Sequence, residues 1–137
     1  MKIRKVAVII FYDENKRILL QDRRNMSKVG EEWGFFGGEI KNTETPEECL
    51  LREIKEELNF DLKDFKYIGE YKAPISENTI LDLFVFISPL KNKLSKFKQD
   101  EGRDMKLFTL DETEKLKITS VDKIIVKSLK KILGDYK

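Results

Sequence analysis

Three glutamates in the first half of the chain are spaced as neighbours on a helix. Glu53, Glu56 and Glu57 stand three and four positions apart, which places their carboxylates on one helical face. Like charges at this spacing destabilise a helix by roughly a few tenths of a kcal/mol per pair. They also lie toward the negative C-terminal end of the helix dipole. A divalent cation that prefers oxygen ligands, Mg²⁺ or Mn²⁺, would offset this charge.

A simpler interpretation of the same segment is a solvated, charge-laced helix surface. Arg52 and Lys55 alternate with the glutamates and would neutralise part of their charge. Taken alone, residues 52–57 are explained equally well by either interpretation. The residues around this segment are therefore needed to distinguish a cation site from a solvated surface.

The rest of the composition narrows the chemistry to carboxylates. The chain contains no histidine, which excludes Ser–His and Cys–His triads and the commonest zinc ligand. Its one cysteine, Cys49, allows no internal disulfide and no multi-cysteine metal site, and it is expected to pack as a small hydrophobe. A lone cysteine is typical of a reducing compartment, so a cytoplasmic protein is expected.

Length and charge limit the architecture and the partners. The 137 residues suit one domain, 1–137, with one core. The 27 basic and 25 acidic residues nearly cancel, so neither a stable nucleic-acid partner nor an anionic membrane surface is expected. No apolar run approaches the roughly 20 residues that span a bilayer.

The helix that carries the glutamates has clear start and stop signals. Thr45 is a favoured N-cap, Pro46 suits the first helical position, and Glu48 completes a capping box. Asn59 tolerates the left-handed conformation in which helices often end. These signals predict a helix to about Leu58.

Extended segments on either side of this helix indicate a sheet that positions it. The segment from Trp33 to Gly38 is aromatic and ends in paired glycines, so its backbone must bend sharply or approach another chain segment closely. The order of elements predicts an α+β fold, an α/β/α sandwich with a mixed sheet flanked by helices. The predicted strands are Val6–Tyr12, Arg17–Arg23, Lys66–Tyr71, Ile80–Ile87 and Met105–Thr109, followed by a short helix at Asp111–Leu116 and a packing helix from Val121 to Gly134.

The residues around the glutamates resemble the Nudix box. Gly38, five residues, Glu44, seven residues and the run Arg52 to Phe60 match that motif over 23 positions. The chain departs from the usual pattern at Asn59, where a glycine is common, and at Phe36, where a proline is common. The order of the flanking strands and the last helix is similar to the Nudix fold over nearly the whole chain.

The resemblance implies roles for individual residues. It makes Glu53, Glu56 and Glu57 ligands of Mg²⁺ or Mn²⁺, with the backbone carbonyl of Gly37 or Gly38 as a further ligand. The same resemblance makes Arg52 a residue that pairs with carboxylates and holds them in register. It makes Glu44 a residue that stabilises the loop and helix through hydrogen bonds.

The resemblance leaves the general base and the phosphate-binding residues open. Glu53 is one candidate base, and Glu101, which also is a candidate metal ligand, is the other because it stands in a later loop. Arg23, Arg24 and Lys28 could bind substrate phosphates, although a solubilising loop is the somewhat better explanation of each.

The function implied is hydrolysis of a phosphoanhydride bond in a nucleoside diphosphate linked to another moiety. Metal-activated water would attack phosphorus. The alternative is a catalytically silent Nudix-like module that senses a nucleotide, and an enzyme acting on RNA 5′ ends is disfavoured by the near-neutral charge. The expected partner is a small nucleotide substrate, and a homodimer is compatible with the family.

Overall fold

A mixed β-sheet forms the centre of the fold in the computed structural model, which describes residues 1–24, 30–98 and 104–134. In chain order its strands are β1 (Lys2–Tyr12), β2 (Ile18–Asp22), β3 (Trp33–Gly34), β4 (Phe36–Glu39), β5 (Lys66–Ser76), β6 (Thr79–Pro89) and β7 (Met105–Phe108).

Strand β1 lies in the middle of the sheet and is apolar on both faces. The segment from Val6 to Phe11 is almost continuously hydrophobic, as expected for a strand covered on both sides. On one side β1 pairs in parallel with β6, in register from Lys2 with Thr79 to Tyr12 with Pro89. On its other side it pairs antiparallel with β4 and β2. The strand order is β3-β2-β1-β6-β5, with β7 against β2.

Two helices cover the two faces of the sheet. Helix α1 (Pro46–Leu58) and helix α2 (Ser120–Gly134) each bury one apolar face. Because side chains alternate along a strand, the sheet contributes a different set of residues to each layer. The α1 layer contains Ala7, Ile9, Phe11, Leu19, Phe36, Leu50, Ile54 and Phe86, and the α2 layer contains Val8, Ile10, Ile18, Leu20, Val85, Ile125 and Leu129.

Helix α1 has the limits that its sequence predicts. Thr45 accepts a hydrogen bond from the Glu48 N–H, and the Glu48 side chain accepts one from the Thr45 N–H, so the capping box is complete. Asn59 ends the helix at φ 50°, in the left-handed region, and donates to the Lys55 carbonyl. The departure from glycine at position 59 therefore leaves the helix end unchanged.

The strands extend beyond their apolar segments. β5 continues to Ser76, and β6 begins at Thr79. A tight turn at Glu77 and Asn78 joins them, so the backbones of the two strands pair beyond the segments whose side chains are buried. The short helix predicted near residue 111 is a single 3-10 turn, Glu112–Lys115, which is too short for α-helical bonding. The predicted α/β/α sandwich is otherwise confirmed. Within the described ranges no helix has the length and apolar character needed to cross a bilayer.

Candidate active site

Two consecutive glycines bring strand β4 into close contact with its neighbours. Gly37 has φ +149°, and a Cβ there would lie 2.0 Å from the carbonyl oxygen of Ala7 on β1. At Gly38 a Cβ would lie 2.2 Å from Cδ of Glu53 on α1. Only glycine permits both approaches. The close approach predicted for this segment is confirmed, and it places the Glu53 carboxylate against β4.

Glu57 is a buried carboxylate held at the same place. Its Oε1 accepts a hydrogen bond from the Gly37 N–H at 3.1 Å, and its Oε2 accepts a long one from Gln21 Nε2 at 3.5 Å. Burial, and next the nearby charge of Glu53, raise the pKa of Glu57 to about 7. The position therefore carries negative charge that the surrounding protein compensates only in part.

Arg52 joins the loop before α1 to the carboxylates on the helix. Its Nε and a terminal nitrogen donate to the two oxygens of Glu44 at 2.6 and 2.9 Å, a bidentate pair. Its other terminal nitrogen donates to Glu53 Oε1 at 2.8 Å. The hydrogen bonds from Arg52, and next from the Lys41 N–H, lower the pKa of Glu44 to about 2. This geometry agrees with the predicted pairing roles of Arg52 and Glu44.

Glu56 lies at the outer end of the group. Its side chain is 59% exposed, and one oxygen lies 3.6 Å from Arg52. No three acidic, cysteine or histidine side chains in the described part of the chain are arranged to hold a metal ion by themselves. The metal-ligand roles of Glu53, Glu56, Glu57 and Gly37 therefore stay predictions.

The chemistry of this group nevertheless fits a hard divalent cation. Its donors are carboxylate and carbonyl oxygens, the ligands that Mg²⁺ and Mn²⁺ prefer. A cation would also offset the repulsion between the Glu53 and Glu57 carboxylates, which after burial is the second cause of the raised pKa of Glu57. Glu53 and Glu57 would hold such a cation beside β4, and Glu56 lies at the exposed end of the group.

A cleft of about 380 Å³ opens on the opposite face of the sheet and reaches Gly38. Its floor is apolar, and its rim carries charges of both signs. Gly38 lines this cleft and also contacts Glu53, so one residue joins the cleft to the carboxylates. The floor includes Val6, Val8, Phe35, Leu81 and Leu83, and the rim includes Arg4, Arg23, Glu31, Glu39, Thr119 and Asp122.

Asp122 is a cleft residue that the sequence reasoning missed. It lies on the buried face of α2 and is 8% exposed. Burial raises the pKa of its carboxyl to about 7, although a hydrogen bond with Thr119 and the charge of Arg23 act in the opposite direction. An acidic residue one position after buried Val121 and three before buried Ile125 was the available signal, because it interrupts an apolar helix face.

The predicted phosphate-binding residues have different surroundings. Arg23 lines the cleft and forms an ion pair with Glu31 at 3.5 Å. Its side chain also packs against Gly34, because a Cβ added at Gly34 would lie 2.4 Å from Cδ of Arg23. Arg24 is instead exposed and hydrogen-bonded to Asp22, and it is not among the residues that line the cleft. Lys28 and Glu101 lie outside the described residues.

Cys49 is a packing residue, as its neighbours in the sequence predict. It is fully buried, and its thiol donates to the carbonyl oxygens of Gly38 and Glu39, both at 3.4 Å. Burial raises its pKa to about 11, which removes the thiolate needed for nucleophilic chemistry.

The sequence is similar to those of known enzymes that act on nucleotides, as their names state. The sequence is 28% identical over 93 residues, 68% of this chain, to an 8-oxo-dGTP diphosphatase from Proteus vulgaris, and the match covers 83% of that protein. It is 31% identical over 78 residues to a CTP pyrophosphohydrolase from Escherichia coli, covering 57% of this chain and 56% of that protein.

The fold has equally clear counterparts among solved structures. A MutT protein from Methanosarcina mazei Go1 superposes with a TM-score of 0.78 at 16% identity, over 95% of this chain and 94% of that one. The family model of the NUDIX domain matches residues 1–129. The chain therefore belongs to the NUDIX family and is a Nudix hydrolase, as its box of residues from Gly38 to Phe60 predicts.

Proposed function

We propose that this hydrolase is Mg²⁺-dependent and cleaves a phosphoanhydride bond in a nucleoside diphosphate linked to a further group, nucleoside triphosphates included. The observation that carries the proposal is the double contact of Gly38, which lines the cleft and touches the Glu53 carboxylate. A nucleotide whose base lies in the cleft would have its phosphates directed past Gly38 toward the glutamates.

The cleft has the chemistry of a nucleobase site. Val8 and Leu83 contribute apolar lining, and Thr119 and Asp122 add polar groups. Protein sites for small ligands combine an apolar lining with a few directional polar groups in this manner. The similar proteins act on an oxidised purine nucleotide and on CTP by their names, so nucleoside triphosphates are the first substrates to test.

Each side chain has a separate role in the proposed reaction, according to its position. Glu53 and Glu57 would hold the cation, which when bound supplies charge to neutralise the phosphates and acidify water. Arg52 keeps Glu53 in place through its bidentate bond with Glu44. Arg23 is near enough to the cleft to pair with a phosphate. Glu53 or Glu101 would accept the proton of the attacking water.

The test is hydrolysis of a panel of nucleoside triphosphates and other nucleoside diphosphate derivatives with Mg²⁺, with products separated by chromatography. Glu57→Gln removes the charge of the buried carboxylate, and Glu56→Gln does the same at the exposed one. Glu47→Gln, an exposed glutamate in the first turn of α1, is the matched control. Turnover that the first two variants lose and the control keeps supports the proposal.

A folded protein that binds nucleotides and cleaves none would instead support the sensing module. A cytoplasmic location, one domain, a homodimer and the lack of a stable nucleic-acid partner remain predictions.

A further inference from the structure

Gln21 is a buried polar side chain within an otherwise apolar strand. It follows Ile18, Leu19 and Leu20 on β2, and it is 1% exposed. Because side chains alternate along a strand, Gln21 shares the α1 face with Leu19. It therefore lies among the hydrophobic side chains beneath the helix that carries the glutamates.

The amide of Gln21 connects three segments of the chain. Its Nε2 donates to the carbonyl oxygen of Phe35 at 3.0 Å and to Glu57 Oε2 at 3.5 Å. Both partners are acceptors, so the nitrogen of the amide must be the atom that faces them. Strand β2, the approach to β4 and the last turn of α1 are thereby linked through one side chain.

Glu57 is consequently held from two sides. The Gly37 N–H binds one of its oxygens, and Gln21 binds the other. Gly37 stands two residues after Phe35, whose carbonyl Gln21 also binds. One amide thus sets the position of the carboxylate relative to the glycine segment that it faces.

The amide of Gln21 satisfies one buried acceptor, the Phe35 carbonyl, but is itself only partly satisfied. Gln21 Oε1 is buried and has no hydrogen-bond partner among the described residues. An apolar side chain of similar length would remove this unpaired oxygen, but it would also leave the Phe35 carbonyl without the hydrogen bond from Gln21. Such a replacement would lose the hydrogen bonds to both Phe35 and Glu57, and only the bond to Glu57 involves a predicted metal ligand.

We propose that Gln21 is a positioning residue that orients the Glu57 carboxylate for cation binding. This inference rests on the proposed function, because it takes Glu57 as a metal ligand. Partners that orient metal ligands in this way typically contribute 10- to 100-fold in metal affinity or activity. Gln21 acts through Glu57 and need not touch the substrate.

The test replaces Gln21 with methionine, which keeps the length of the side chain and removes its donors. Binding of Mn²⁺ is measured by electron paramagnetic resonance, together with the Mg²⁺ dependence of hydrolysis. Gln21→Met is expected to raise the Kd for Mn²⁺ about 10-fold or more and to shift the Mg²⁺ requirement by a similar factor. Thermal unfolding checks that the variant is folded, and a modest loss of stability is expected because the Phe35 carbonyl loses its donor.

Leu19→Met is the matched control, because it places the same side chain on the same face of β2 without contacting Glu57. It is expected to leave the Kd for Mn²⁺ and the Mg²⁺ requirement unchanged. A Gln21→Met protein with the cation affinity of the native chain overturns the inference while leaving the proposed function standing. A native chain that binds no cation overturns both.

A second measurement uses the native chain and does not depend on whether Gln21→Met folds. The side-chain amide signals of Gln21 are followed by ¹H–¹⁵N nuclear magnetic resonance during a Mg²⁺ titration. They are expected to shift and to saturate at the same Mg²⁺ concentration as the Gly37 amide. Gln21 signals that stay in place while the Gly37 signal moves would show that the amide does not follow the carboxylate.

Discussion

The carboxylate of Glu53 lies against the Cα of Gly38, so close that a Cβ at residue 38 would be 2.2 to 2.5 Å from its atoms. Side chain and glycine belong to different elements, α1 and β4. The contact leaves no room for a methyl group, and the backbone of Gly38 is not in the left-handed region. The glycine is therefore required here for space rather than for its dihedral angles.

Gly38→Ala should displace Glu53 and lower hydrolysis while the chain still folds. A displacement near 1 Å in a catalytic group can cost about 100-fold in rate, so a loss of that order in kcat/KM is expected. Steady-state kinetics and circular dichroism measure the two effects. Gly134→Ala is the control, since no atom lies within 4 Å of its added Cβ. Equal activity in both variants would contradict the steric role of Gly38.

Glu44→Gln should lower the stability of the folded protein near neutral pH and have a smaller effect on that stability in strong acid. The pKa of Glu44 is lowered to about 2 by Arg52 first, so its stabilising charge is fully present above the unfolded pKa of about 4.5. That contribution is lost as pH falls through 2. Thermal midpoints of native and variant proteins should differ at pH 7 and converge near pH 2. A constant difference across this range would show that the charge of Glu44 is unimportant.

Asp122→Asn should change how stability depends on pH. Burial raises the pKa of Asp122 to about 7 from 3.8, so the folded state holds a proton that the unfolded state releases between these values. Native stability therefore falls as pH rises from about 4 to about 7, by something on the order of a few kcal/mol. Urea unfolding should show a smaller fall for Asp122→Asn. Asp61→Asn, an exposed acid, should keep the native pH dependence.

Val6→Phe should obstruct the cleft without affecting the glutamates. Val6 lines the cleft on β1, and a larger ring would occupy the space assigned to the nucleobase. KM for the nucleotide is expected to rise at least about 10-fold, because the base would lose its apolar contacts with the cleft. Mn²⁺ binding should be unchanged. Ile3→Phe, exposed and outside the lining of the cleft, is the control. An unchanged KM would place the base elsewhere.

Much of the active-site helix could be predicted from the sequence because its determinants are local. The capping box of Thr45 and Glu48 and the end at Asn59 depend on residues within a few positions of one another. Glu53, Glu56 and Glu57 follow from the same helix, since their spacing sets their common face. The resemblance implied that Arg52 pairs with carboxylates, and the structure identifies Glu44 as one of its partners.

The residues that complete the candidate site could not be predicted in this way, because their partners are distant in the chain. Gln21 contacts Glu57, 36 positions away, and appears in the sequence only as a polar residue at the end of an apolar strand. Asp122 acquires its environment from burial and from the charges of Arg23 and Glu31, which are distant from it in the chain.

Sequence by itself determined the helix that bears the glutamates, the alternating strands and the family, since each depends on local spacing or on an ordered motif. Tertiary structure alone decided that Gly38 would face both a cleft and Glu53, and that Gln21 would hold Glu57. Those contacts depend on strand register and on the packing of α1 against the sheet. Both are set by the burial of side chains contributed from the whole chain.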